Sequence, residues 1–96
     1  MNAKLVKENL NEGYAGDADE VIELGEEVFN NGTISIYAYE TDDYAIINIK
    51  TGTKEHLEVY ANPRSNLQPT PDGKWVAISD EDDITFINAE TGEIAS

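Results

Sequence analysis

The fold is decided by residues 73–92, GKWVAISDEDDITFINAETG, whose pattern repeats that of residues 32–52, GTISIYAYETDDYAIINIKTG. Both stretches run in the same order through a turn glycine, an apolar strand, an acidic loop, a second apolar strand and a Thr-Gly turn. Their spacing is about 40 residues, and a fixed period of this length indicates a structural unit that is used twice. The pattern therefore predicts two similar β units in one chain.

Strand patterns extend outward from both stretches. Residues 33–60 form the first unit, which alternates apolar and polar side chains and reads as a three-stranded meander. Residues 72–96 form the second unit, with turns at Asp72-Gly73 and Thr91-Gly92. The three prolines of the chain lie between the units and exclude central strand pairing there.

The region before the repeats has a helical pattern of apolar residues instead of a strand pattern. Apolar residues recur at helical spacing from residue 17 to residue 30, and Asp17 followed by Glu20 is compatible with an N-cap, so we predict a helix over residues 17–30. The alternative is that residues 27–29 form one arm of a hairpin before Asn31-Gly32. Residues 1–16 are weakly apolar and interrupted by glycine, and we expect them to be loosely held.

The second unit resembles a known kind of repeat. Its Pro71-Asp72-Gly73 turn, apolar strands and Thr91-Gly92 turn are similar to a blade of the WD-like and YVTN-type β-propellers. The resemblance covers residues 67–96 well and residues 28–60 more loosely, because Asn31-Gly32 replaces the Pro-Asp-Gly turn. Propellers use four to eight blades, so two blades cannot close a ring without further copies. The opening of the chain also bears a faint likeness to small uncharacterised phage proteins.

Together these patterns predict a single α+β domain over residues 1–96, with an antiparallel meander sheet of five to six strands and one N-terminal helix. The alternative is an all-β chain of two propeller-like blades. Some strands are almost continuously apolar, as at residues 75–78, and such strands tend to be buried on both faces. One short helix covers only one face of a sheet. We therefore expect the other face to bind a second sheet, another copy or a partner.

Charge restricts the partners. Twenty acidic residues against six basic ones give a formal net charge of −14, so the chain repels nucleic acid and anionic lipid. The acids concentrate in residues 17–27, 40–43 and 80–83. The absence of cysteine fits a reducing compartment, and we expect a cytoplasmic protein, in the host cell if the chain is phage-encoded. No signal-peptide or membrane-spanning apolar run occurs in the sequence.

The sequence offers little for catalysis. His56, the only histidine, lies between acidic neighbours on a strand, and no serine sits in a Gly-x-Ser-x-Gly elbow. The acidic run at residues 80–83 lacks the alternating spacing of a calcium loop, although a weak Ca²⁺ site there is left open. We therefore predict no enzymatic activity, no cofactor and no resident metal.

The sequence favours a non-enzymatic, acidic module that binds another protein or copies of itself. Apolar residues of a sheet face, such as Trp75 and Ile47, would anchor the contact, and acidic loops would select the partner. One alternative is a phage-type inhibitor that mimics nucleic acid in the basic groove of a DNA- or RNA-binding defence protein. Another is an oligomeric propeller lectin with exposed aromatics. The predicted partner-binding residues are Asp17, Asp19, Glu20, Glu23, Glu27, Asp42, Asp43, Trp75, Asp80, Glu81, Asp82 and Asp83.

Overall fold

A computed structural model describes residues 17–95, and of Asp17 the backbone alone. The expectation about residues 1–16 lies outside the described residues. Two short helices and eight strands make up the described part. They are α1 (Asp17–Leu24), β1 (Glu26–Asn30), β2 (Ile34–Tyr39), β3 (Asp43–Asn48), β4 (Lys54–Glu58), α2 (Pro63–Asn66), β5 (Leu67–Pro69), β6 (Trp75–Ser79), β7 (Ile84–Asn88) and β8 (Ile94–Ala95).

The strands form two antiparallel sheets of four strands each. Sheet 1 has the order β1-β2-β3-β4, and sheet 2 has the order β5-β6-β7-β8. The prediction of an antiparallel β structure preceded by a helix is confirmed, but the single sheet of five to six strands is replaced by two sheets. The reason lies after β4, where Ala61 N donates to Thr41 O and the chain enters α2 instead of a neighbouring strand. Asn62 caps α2 by accepting from Arg64 N.

The helix predicted over residues 17–30 ends at Leu24, and residues 26–30 form β1 instead. Gly25 marks the change, because a Cβ there would stand 2.3 Å from Ala38 O and 2.6 Å from Val21 O. Beyond it, Asn31 Oδ1 accepts from Thr33 N and Ile34 N and so closes the β1–β2 hairpin. The hairpin alternative was therefore correct for this segment.

The core lies between the two sheets. From sheet 1 it takes Ile34, Ile36, Tyr44 and Ile46, and from sheet 2 it takes Val76, Ile78 and Ile87. Each such aliphatic side chain contributes roughly 1.5–3 kcal/mol relative to exposure. Two asparagines also join the sheets, since Asn31 Nδ2 donates to Ala89 O at 2.9 Å and Asn48 Nδ2 donates to Thr91 O at 3.1 Å. The opposite face of sheet 1 is covered by α1.

The β3–β4 and β7–β8 turns make the same hydrogen bonds. In each turn the last residue of the strand, Asn48 or Asn88, accepts three backbone N–H groups at 2.8–3.1 Å, one on its carbonyl and two on its side chain. The turn glycines, Gly52 and Gly92, have φ of +78° and +83°. The two units of the sequence repeat therefore share their local geometry as well as their pattern.

Neither helix among residues 17–95 has the length and apolar character needed to cross a membrane.

Candidate functional site

The outer face of sheet 2, the face turned away from sheet 1, carries exposed apolar side chains. Because Val76, Ile78 and Ile87 point into the core, the alternate residues of β6 and β7 point outward. Ile84 is 48% exposed and Phe86 is 38% exposed. We call this surface the outer face and define it by the outward-pointing strand residues Gln68, Trp75, Ala77, Ser79, Ile84, Phe86, Asn88 and Ala95.

Strand pairing places these side chains in straight rows across the sheet. Ala77 pairs with Gln68 on one side and with Phe86 on the other, and Phe86 pairs with Ala95. The Trp75 and Phe86 rings meet edge to face, with centroids 6.3 Å apart and an interplanar angle of 75°. The face is therefore a small apolar surface with a fixed aromatic pair.

No residue of the outer face is charged, although the chain carries twenty acidic and six basic residues. The face of sheet 1 that is turned away from sheet 2 differs. There α1 lies over the sheet, with Ala18 and Val21 packed on Ala45, and Lys54 of β4 forms an ion pair with Asp19 of the helix. Among the described residues, no helix covers the outer face of sheet 2 in this way.

The sequence repeat relates the outer face to a buried one. Trp75 and Ala77 occupy the repeat positions of Ile34 and Ile36, and Phe86 occupies the position of Ile46. In sheet 1 these positions face the core and are covered by sheet 2. The two sheets thus stack in the same direction, and the face that sheet 1 buries against sheet 2 corresponds to a face of sheet 2 that no other described residue covers.

Acidic side chains border both ends of the outer face. At one end, residues 80–83 form the β6–β7 loop, and at the other end Glu90 and Glu93 lie in the β7–β8 turn. A depression of about 370 Å³ beside Trp75 is lined by Glu55, Glu93 and the last strand. A second one of about 420 Å³ is lined by Lys74, which is the only basic residue among the described residues that line the two depressions.

The predicted acidic residues lie in three regions: on α1, at Glu27 in β1, and in loops at one end of the molecule. Asp19, Glu20 and Glu23 are exposed on α1, on the far side of sheet 1 from the outer face. The loops at residues 40–43 and 80–83 come together at one end of the molecule, where Thr41, Tyr60, Asp80 and Glu81 line a shallow depression. Trp75 lies at the opposite end of β6 from these loops. The acids and Trp75 therefore do not form one contiguous patch.

Hydrogen bonds occupy several of the carboxylates. Ser35, which is buried, and Asn30 both donate to Glu27, and these two bonds lower the pKa of Glu27. Asp80 Oδ1 accepts from the backbone N–H groups of Asp82 and Asp83, so it caps its own loop. Among residues 17–95, no group of three or more potential ligands is arranged to hold a metal ion.

Other titratable groups serve the fold. His56 Nε2 lies 2.8 Å from Asp43 Oδ1 across the β3–β4 pair, and both side chains are partly buried. The hydroxyl of Thr70 and the N–H of Lys74 bond to Asp72 and lower its pKa in the β5–β6 turn. Tyr44 is fully buried and donates to Ala61 O, and burial, with a smaller effect of the Asp42 charge, raises its pKa to about 12.

Sequence reasoning named Trp75 but missed Ile84, Phe86 and Ala77. It also named Ile47, which lies partly buried in sheet 1 on the same face as Ala45, the face on which α1 packs. Ile84 and Phe86 are two residues apart in one strand, so the strand prediction places them on the same face, but it does not show that this face is exposed. Comparison of the chain with protein-family models, with curated proteins and with solved structures finds no match.

Proposed function

We propose that this chain is a non-enzymatic protein-binding module and that the outer face of sheet 2 is its contact surface. One observation carries the proposal: a strongly acidic chain keeps one complete sheet face free of charge and exposes an isoleucine and a phenylalanine on it. Exposed apolar surface with a polar border is typical of protein interaction sites. The Trp75–Phe86 pair is a suitable anchor, since aromatic residues are enriched at interfaces and carry much of their binding energy.

The stacking of the two sheets supports the same role. The matching positions of sheet 1 are already filled by another sheet, so the outer face of sheet 2 has the shape and composition of a surface that a second layer covers. Binding there requires no rearrangement of the described elements. The occupant is either another protein or a further copy of this chain.

Photo-crosslinking in the cells that make the chain tests the proposal. A photoreactive residue replaces Ile84 in one variant and Ile49 in the other; the two positions are almost equally exposed, at 48% and 46%, but Ile49 lies in the β3–β4 turn of sheet 1. We expect discrete adducts from position 84 and few from position 49. Equal labelling from both positions, or none from position 84, would contradict a binding surface on sheet 2.

A second candidate function is inhibition of a basic nucleic-acid-binding protein by carboxylates that mimic phosphates. The observation in its favour is that the acidic loops of the two repeats meet at one end of the molecule, around Thr41, Asp80 and Glu81. If this end is the contact, Asp42→Asn combined with Asp82→Asn reduces binding to a basic nucleic-acid-binding protein, whereas Ala77→Glu on the outer face leaves it unchanged. The reverse pattern would rule the mimic out.

A further inference from the structure

The outer face is too small to hold a partner alone. Its four strands contain fifteen residues in all, and strand spacing and rise give them about 250 Å² in the plane of the sheet. A stable interface of standard size buries about 800 Å² on each partner. A partner must therefore also contact the loops that border the face, and the charge of those loops decides which partner fits.

Those bordering loops are acidic at both ends. The β6–β7 loop brings four consecutive carboxylates at residues 80–83, and the β7–β8 turn at the other end brings Glu90 and Glu93, while Lys74 is the only basic residue among the described residues that line the depressions beside Trp75. If two copies packed outer face on outer face, any contact beyond the sheets would bring carboxylates against carboxylates. A border of lysine and arginine would instead be attracted at both ends.

The depression beside Trp75 indicates the same chemistry. Trp75, Glu55 and Glu93 are among the residues that line this space of about 370 Å³. An arginine or lysine side chain in this space would lie beside a tryptophan and two glutamates, whose aromatic ring and carboxylates are groups that bind such cations. The edge of the apolar surface thus offers a place for a basic side chain.

Building on the proposed protein-binding function, we propose that the partner is a different protein that presents apolar side chains bordered by lysine or arginine, and not a second copy of this chain. The apolar side chains cover Trp75, Ala77 and Phe86. The basic side chains reach the depression beside Trp75 and the β6–β7 loop.

The test uses a designed hairpin peptide as the probe, with valines on one face and lysines at its borders, and a matched peptide with glutamate for each lysine. Trp75 is the only tryptophan of the chain, so its fluorescence reports occupation of the outer face. We expect saturable binding of the lysine peptide and at least tenfold weaker binding of the glutamate peptide. Ala77→Glu should abolish binding, with circular dichroism to confirm the fold; Ile84→Glu serves if the first variant does not fold.

Charge variants distinguish the contribution of the carboxylates that border the outer face from that of the other acidic residues. Asp82→Asn with Glu93→Gln removes one carboxylate from each end of the face, and we expect the affinity for the lysine peptide to fall at least fivefold. Glu20→Gln with Glu23→Gln makes the same change in net charge on α1, far from the face, and should change the affinity less than twofold.

Three results would overturn the inference. Equal binding of the two peptides, or no binding of the lysine peptide, would show that a basic border is not recognised. Sedimentation showing a dimer that Ala77→Glu dissolves would assign the face to a second copy, while the proposed protein-binding function would stand. Crosslinks from position 84 to residues 1–16 of the same molecule would assign the face to this segment, and the proposed function would fail with it.

Discussion

Replacement of Tyr44 by phenylalanine removes one hydroxyl from the centre of the molecule. Tyr44 is fully buried in the face of sheet 1 that packs on sheet 2, and its hydroxyl donates to the carbonyl oxygen of Ala61. Ala61, also buried, lies where the chain leaves sheet 1 for α2. In the Tyr44→Phe variant this carbonyl loses its donor, and an unpaired buried polar group costs about 1–3 kcal/mol. A domain of this size loses about 4–8 °C in Tm for each kcal/mol.

Tyr44 also makes the stability of the fold depend on pH in the alkaline range. Burial raises the pKa of Tyr44 from its usual value of 10.0 to about 12, so the folded chain holds the proton that the unfolded chain releases. This contribution is complete below pH 10 and is lost as the pH rises towards 12. The shift of about two pKa units corresponds to about 3 kcal/mol. The Tyr44→Phe variant lacks an ionisable group there and should lose less stability between pH 10 and pH 12 than the parent chain.

Urea unfolding followed by circular dichroism measures both effects, at pH 7 and over the alkaline range. Tyr60→Phe is the matched control, because Tyr60 is 78% exposed and its loss should change the free energy of unfolding by less than about 0.5 kcal/mol. If the two variants were equally stable at pH 7, the hydrogen bond between Tyr44 and Ala61 would not stabilise the fold as argued.

Three further predictions concern the fold. Gly52→Ala and Gly92→Ala should each cost about 1–2 kcal/mol of stability, because both glycines have a positive φ. Gly92→Ala should cost about 1 kcal/mol more, because its Cβ would lie 3.1 Å from Ile46 Cγ2 while the space around Gly52 is open. Equal losses in thermal unfolding would argue against the packing of the sheets at this turn. Gly25→Ala should cost about 2–3 kcal/mol in the same assay, since the added carbon meets two backbone oxygens, and an unchanged Tm would show that α1 does not approach sheet 1 so closely. Hydrogen bonds lower the pKa of Glu27 below its usual 4.5, so its carboxylate stabilises the fold above that pH and less as the pH falls. The Glu27→Gln variant should therefore be less stable than the parent chain at pH 7 and approach the parent's stability at low pH. A constant difference in stability across this range would contradict the role of ionisation.

Local patterns in the sequence were sufficient to place most of the strands and turns. The repeat located the two units, and the Thr-Gly pairs at residues 51–52 and 91–92 fall in turns with matching hydrogen bonds. Helical periodicity was misleading beyond Leu24, because Val28 and Phe29 continue the spacing although they belong to β1. Directly after the helix, Gly25 lies close to the backbone of Ala38, a contact distant in sequence that periodicity does not contain.

The number of sheets and the exposed face depended on long-range packing. Alternation shows that two sets of side chains point to opposite faces of a strand, but it does not say which set is buried. In β6 the run from Trp75 to Ile78 is apolar throughout, so either face was a candidate for the core. The candidate site could therefore be predicted only in part from the sequence. Trp75 was predicted, whereas its neighbours Ala77 and Phe86 were located only by the strand register of the structure.

The most direct test of a binding surface on sheet 2 uses the single tryptophan as a probe in place. The chain is labelled with fluorotryptophan, and the ¹⁹F resonance of residue 75 is compared in the purified protein and in an extract of the cells that make it. We expect the resonance to shift and broaden in the extract, to recover when excess unlabelled chain is added, and not to recover with excess unlabelled Ala77→Glu variant. A resonance that is identical in the extract and in the purified protein would contradict the assignment of the outer face as the site of binding.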